Sequence, residues 1–213
     1  MKNNLHKIGL SIFASVLIAS ASIAQFEGEI IFEKNVGKIH VIYKYFVKGN
    51  DIRIEEVGED GTIDGIQLMD LETKKTYALS PERKLWFETP NRRPAKTLDV
   101  DIKKTGETKE ILGKKCFEVI VTNKANDRKI IYWITKGDYE FFIPMLKTLN
   151  RKENQAMYYL EIKGMENHFP MLSIEYAIST GNVVSTLKAE SVETKKIADE
   201  TFVIPKDYGK FER

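Results

Sequence analysis

The sequence predicts a mainly β protein: one domain of about a dozen antiparallel strands carrying one helix. Three observations point there. Apolar and polar residues alternate with period two through most of the chain. The runs are separated by tight-turn signals such as Gly49-Asn50, Glu72-Thr73-Lys74, Ser80-Pro81-Glu82 and Gly181-Asn182. No linker, composition shift or low-complexity tract divides the 213 residues.

The strands follow in order. Phe26, Gly28, Ile30 and Phe32 alternate with Glu27, Glu29 and Glu33, the pattern of a sheet with one wet face. Val41, Tyr43, Tyr45 and Val47 form one face of the next strand, and Ile52 with Ile54 follows the Gly49-Asn50 turn. Segments 66–71, 76–79 and 84–88 are joined by short connections, so neighbours should pair antiparallel. After the 90–94 loop, segments 98–104, 107–112, 116–122 and 129–135 read as strands, the last apolar on both faces. Pro144 suits a first helical turn, where its missing N–H would be unpaired anyway, and Met145, Leu146 and Leu149 continue an apolar stripe. Strands are expected again at 158–163, 171–179 and 183–194, and Phe202-Val203-Ile204-Pro205 reads as a tail pinned to the core. So many consecutive strands must split into two packed sheets or curl into a full or partial barrel.

Residues 1–24 read as a secretory signal peptide, with Lys2 and Lys7 before an apolar run from Ile8 to Ile18 and small residues at Ser22 and Ala24. The expected organisation is therefore a signal over 1–24 and a single β-rich domain over 25–213, exported to the periplasm and not membrane-spanning after processing. The signal holds two lysines and no acid. Its removal from a chain of 33 basic and 31 acidic residues leaves 189 residues with 31 of each. A neutral chain has no general drive toward nucleic acid. The single cysteine, Cys116, forms no internal disulfide and reads as a small buried hydrophobe.

Catalytic signals are sparse. There is no GxSxG elbow, HExxH, CxxC or glycine-rich phosphate loop, and His40 and His168 stand 128 positions apart. No enzyme activity, cofactor or metal is expected. Asp60-x-Thr62-x-Asp64-Gly65 resembles half of a calcium loop, but Leu71 stands where its last acid should be, so a hairpin turn is the better reading. Asn91 to Lys96 is the one compact basic cluster, and Arg92 and Arg93 in it are candidates for contact with an anionic headgroup or a protein partner.

The run Thr105-Gly106-Glu107-Thr108-Lys109-Glu110-Ile111-Leu112-Gly113-Lys114-Lys115-Cys116, with the Trp133 strand after it, resembles the G-x-T-x-x-I-x-G-x-x-C signature of domain of unknown function 4412, exported proteins common in Bacteroidetes-type bacteria. The segments 48–55, 69–71 and 76–79 and the ending 201–208 are similar to the wider LolA/LolB-like lipoprotein-carrier group. The resemblance implies an antiparallel half-barrel, a LolA-like unclosed barrel of about 11–12 strands, with one helix packed on its concave face. It also implies a ligand with an acyl chain. Carriers of that group begin with an amphipathic helix, where this chain has the strand at Phe26.

The function expected is therefore non-enzymatic binding, in the cell envelope, of a lipid, a lipoprotein acyl chain or another amphipathic ligand. The candidate ligand-binding residues are Tyr43, Tyr45, Tyr132, Phe141, Phe142, Met145, Leu146 and Leu149. The alternative is an envelope scaffold or protein-interaction module with a filled core and no ligand, recruiting an envelope protein along an open strand edge.

Overall fold

A computed structural model of the chain describes residues 25–90 and 97–212. The expected signal segment 1–24 and the Arg92-Arg93 candidates lie outside the described residues. Twelve strands form one sheet: β1 Glu27–Val36, β2 Ile39–Lys48, β3 Asp51–Val57, β4 Ile63–Asp70, β5 Lys75–Ser80, β6 Leu85–Glu88, β7 Asp101–Ile111, β8 Lys114–Asn123, β9 Arg128–Lys136, β10 His168–Ala177, β11 Val183–Thr194 and β12 Gly209–Lys210. Two helices, α1 Phe142–Leu149 and α2 Asn154–Tyr159, lie between β9 and β10, and a 3-10 turn spans Asp199–Phe202.

The strand order is β12-β6-β5-β4-β3-β2-β1-β11-β10-β9-β8-β7. β12 and β7 are the two edges, so the sheet does not close. Every pairing is antiparallel except β12 with β6, where the C-terminal tail adds itself in parallel. The α1–α2 insert touches strands far apart in that order. Arg151 donates to Gln67 on β4 at 2.8 Å, while Tyr132 on β9 donates to the Gln155 carbonyl at 2.8 Å. β4 and β9 are six steps apart and would stand about 29 Å from each other in a flat sheet. The sheet therefore curls around the insert, giving the expected unclosed half-barrel with helix on its concave face.

The period-two pattern explains which face is buried. Ile30 and Phe32 on β1, Tyr43, Tyr45 and Val47 on β2, Ile52 and Ile54 on β3, and Ile130, Tyr132 and Ile134 on β9 all point into one core with α1 and α2. Burial of apolar surface at about 25 cal/mol per Å² is what holds the curl closed on its insert. A smaller cluster on the opposite face unites Ile66, Leu68 and Leu79, covered by Ile204 and Tyr208 of the tail. The tail is thus pinned as expected. Arg53 fastens it further, pairing with Glu55 at 2.7 Å and donating to the Thr201 carbonyl at 3.2 Å.

Two expectations change. Segments 98–104 and 107–112 are parts of one strand, β7, broken in register between Lys104 and Thr108 where Gly106 takes φ +88°. The bulge needs a residue without Cβ at that angle. Segment 158–163 is no strand: Tyr158 and Tyr159 end α2, and a turn follows. Its Tyr, Leu and Ile content suits a sheet, but both tyrosines, at the end of α2, are fully buried in the main core, and that packing overrides propensity.

Candidate functional site

The concave face holds all eight candidate ligand residues in one cluster. Tyr43, Tyr45, Tyr132, Phe141, Phe142, Met145 and Leu146 are buried there, and Leu149 packs against them half-buried. Four of them, Tyr45, Tyr132, Phe141 and Phe142, belong to one chain of ring contacts. Its hub is Phe169, a residue sequence reasoning overlooked, which lies 4.9 Å from Tyr139, 4.7 Å from Phe142 and 5.4 Å from Phe32 between ring centroids. From there the contacts run on to Tyr45 and, through Phe142 and Tyr159, to Tyr132. Edge-to-face and offset contacts of this kind add to the apolar burial of each ring.

The insert that fills the face is not an apolar wedge throughout. Gln155, Tyr158 and Tyr159 are all buried, yet Gln155 Nε2 and both tyrosine hydroxyls lack hydrogen-bond partners. Buried polar atoms left in that state each cost about 1–3 kcal/mol. Three of them come from one six-residue helix. Beside them Glu175, also buried, accepts from Asn154 Nδ2 at 2.7 Å and Ser185 Oγ at 2.8 Å and pairs with Arg128 at 3.1 Å. The Tyr132 hydroxyl is held well above the ordinary phenol range, first by burial and then by the negative charge of Glu175. Burial likewise raises Tyr139, to about 12, and Tyr45. These phenols stay neutral, and the Tyr132 hydroxyl donates to the Gln155 carbonyl.

The cavities lie around this packed centre. One of about 250 Å³ opens at the N-terminal end of α1 between Phe26, Asn50, Leu71, Glu140, Phe141 and Pro144, so Phe141 is the candidate residue that lines it. Another, of about 490 Å³, sits at the β8–β9–β10 corner and is lined by Lys114, Lys115, Phe117, Thr135, Lys136 and His168. No sequence signal marked that corner, because its residues come from three strands. Asp60 Oδ1 accepts from the Thr62 N–H and hydroxyl, the geometry of a self-bonded turn. Among the described residues, no group of three or more His, Cys, Asp or Glu side chains converges as a metal site. Cys116 is fully buried and its thiol is raised, chiefly by burial.

Both sheet edges are blunted. β7 carries Asp101, Lys103, Lys104, Glu107, Lys109 and Glu110 along a bulged, exposed strand, and β12 covers the other side. Charged side chains and bulges are how natural edges resist strand addition. Among the described residues no helix is long and apolar enough to cross a membrane.

The family model described as Domain of unknown function (DUF4412) matches residues 26–208. No curated protein matches the chain significantly. Of solved structures, an uncharacterized conserved protein from Thermus thermophilus aligns with TM-score 0.58 and 9% identity over 90% of this chain and 93% of its own. That likeness shows the fold. A MucA/MucB complex from Pseudomonas aeruginosa aligns with TM-score 0.49 and 9% identity, over 87% of this chain and 58% of the other. The LolA superfamily protein NE2245 from Nitrosomonas europaea aligns with TM-score 0.36 and 12% identity, over 85% and 91%.

Proposed function

The chain belongs to the DUF4412 family, and from that premise we propose that it is an exported, non-enzymatic envelope protein whose concave face takes up a lipid, an acyl chain or another amphipathic ligand. The observation that carries this reading is the character of the α1–α2 insert. The concave face is covered by a short loop-borne helix pair, and its second helix leaves Gln155 Nε2 and the Tyr158 and Tyr159 hydroxyls unpaired. A covering segment with such unmet polar groups is less costly to displace than an apolar one. An acyl chain would replace it against Tyr43, Tyr45 and Tyr132, with Phe141, Phe142, Met145, Leu146 and Leu149 carried on the moving segment. The freed hydroxyls and amide would then meet water or the ligand's polar end.

In this reading residues 1–24 direct export to the periplasm, residues 25–213 form the single functional domain, and Arg92 and Arg93 contact a headgroup or partner. The alternative of strand-mediated recruitment is opposed by the charged, bulged β7 and the tail-covered β6. Native mass spectrometry after gentle extraction tests the proposal. Co-purifying lipid, or displacement of a fluorescent fatty acid by unlabelled lipid, is expected. Protein recovered consistently free of lipid and indifferent to the probe contradicts it.

A further inference from the structure

The corner at the ends of β8, β9 and β10 gathers cations without pairing them. Register places His168 beside Lys136 and Thr135 beside Cys116, so Lys114, Lys115, Lys136 and His168 meet around one opening. Lys104 of β7, three strands from β10, adds its field to His168 from outside the lining. Five described lysines elsewhere pair with acids, among them Lys34 with Glu153, Lys48 with Asp199, Lys84 with Asp207 and Lys188 with Glu190. Among the described residues Lys104, Lys114, Lys115 and Lys136 form no such bridge. The acids nearby are Glu110, opposite Lys115 in register, and Glu166, which acts on His168 from outside the lining. Three ammonium groups held around one concavity, Lys114, Lys115 and Lys136, repel each other and draw in an anion.

The opening has an apolar side as well. Phe117 lines it, half-buried, with the His168 ring edge-on at 5.7 Å. His168 Nδ1 is buried and has no hydrogen-bond partner. A cationic rim, an aromatic wall and an unmet imidazole nitrogen suit one ligand chemistry: a phosphoryl group attached to an organic body. Lysines are point charges that tolerate varied approach by several oxygens, which fits phosphate better than a planar carboxylate fork. A space of about 490 Å³ also exceeds what a bare phosphate fills.

We propose that the Lys114–Lys115–Lys136 corner is a binding site for a phosphoryl group, with Phe117 against the organic part that bears it. This rests on the amphipathic-ligand reading and deepens it by naming the headgroup chemistry. Two sources share that chemistry, an anionic phospholipid and free phosphate.

Calorimetric titration of the folded protein with dihexanoyl phosphatidylglycerol, dihexanoyl phosphatidylcholine and inorganic phosphate separates them. The phosphatidylglycerol is expected to bind at least about tenfold more tightly than either other ligand, and more weakly as ionic strength rises. K115A/K136A, two exposed substitutions that leave the melting temperature in place, should lose about tenfold of that affinity, whereas K75A/K124A should lose none. The His168 Cε1–H resonance should move on binding. Phosphate binding as tightly as the lipid supports the anion site with a free-phosphate source and removes the role of Phe117. Unchanged affinity in K115A/K136A, or a still His168 resonance at saturation, overturns the site. Either result leaves fatty-acid uptake on the concave face as a separate outcome, so the two readings fail independently.

Discussion

The Tyr132 hydroxyl donates to the backbone carbonyl of Gln155 at 2.8 Å, tying the middle of β9 to the first turn of α2. Both residues are buried. It is a directional hydrogen bond, where most of what holds the insert in the concave face is non-directional apolar contact. Tyr132→Phe keeps the ring and strands the carbonyl. The expected loss is about 1–3 kcal/mol in urea unfolding. Faster amide exchange should follow across 154–159, with β1 unaffected.

Gly28 and Gly65 should behave oppositely. A Cβ at Gly28 would run into the Glu193 carbonyl of β11 and come within 2.9 Å of the Phe26 ring, so Gly28→Ala must push two paired strands apart. A loss of about 3 kcal/mol is expected. At Gly65 nothing lies within 4 Å and φ is ordinary, so Gly65→Ala should change stability by no more than about 0.5 kcal/mol. Thermal and urea midpoints of the two variants check this.

The strands were legible because burial alternates along them: Phe26, Ile30 and Phe32 inward, Glu29 and Glu33 outward. Tyr43, Tyr45 and Tyr132 were legible for the same reason, and Met145, Leu146 and Leu149 as the apolar stripe of a helix that Pro144 helps to start. Phe169 was not, since it follows a turn and lies next to Pro170, with no alternation to mark it. α2 was hidden because Tyr158, Tyr159, Leu160 and Ile162 look like strand residues until tertiary packing decides. The lysine corner was hidden because Lys114, Lys136 and His168 are neighbours only through strand register.

His168 makes stability sensitive to mild acid. Burial, then Lys136 and Lys104, hold its imidazole below the ordinary 6.5, against a weaker opposite pull from Glu166. Above 6.5 it is neutral in both folded and unfolded chains, and its contribution is complete. As pH falls below 6.5 the unfolded chain takes up the proton first, so stability declines until the folded imidazole is also protonated. Urea midpoints should fall between about pH 7.5 and about pH 5.5 in the wild type, and less in His168→Gln. Phosphate or phosphatidylglycerol at the lysine corner should shrink the difference.

The tail shields Ile66, Leu68 and Leu79 through Ile204 and Tyr208 and closes the edge at β6 with two 2.8 Å backbone bonds, Gly209 N–H to the Lys84 carbonyl and Phe211 N–H to the Trp86 carbonyl. Truncation after Lys196 should expose that cluster and the β6 edge together. Dye binding to exposed apolar surface and self-association by light scattering are the expected outcomes. Ile204→Asp should give the first with less of the second, because β12 can still pair.

Hydrogen–deuterium exchange with and without a bound amphiphile tests most directly whether the α1–α2 insert is a displaceable cover. Saturating a lipid or fatty-acid ligand should change exchange in peptides spanning Phe141 to Tyr159, while β1 and β11 stay as they were. Exchange unaltered across that insert at saturating ligand would contradict the account, and so would a change spread evenly over the whole sheet.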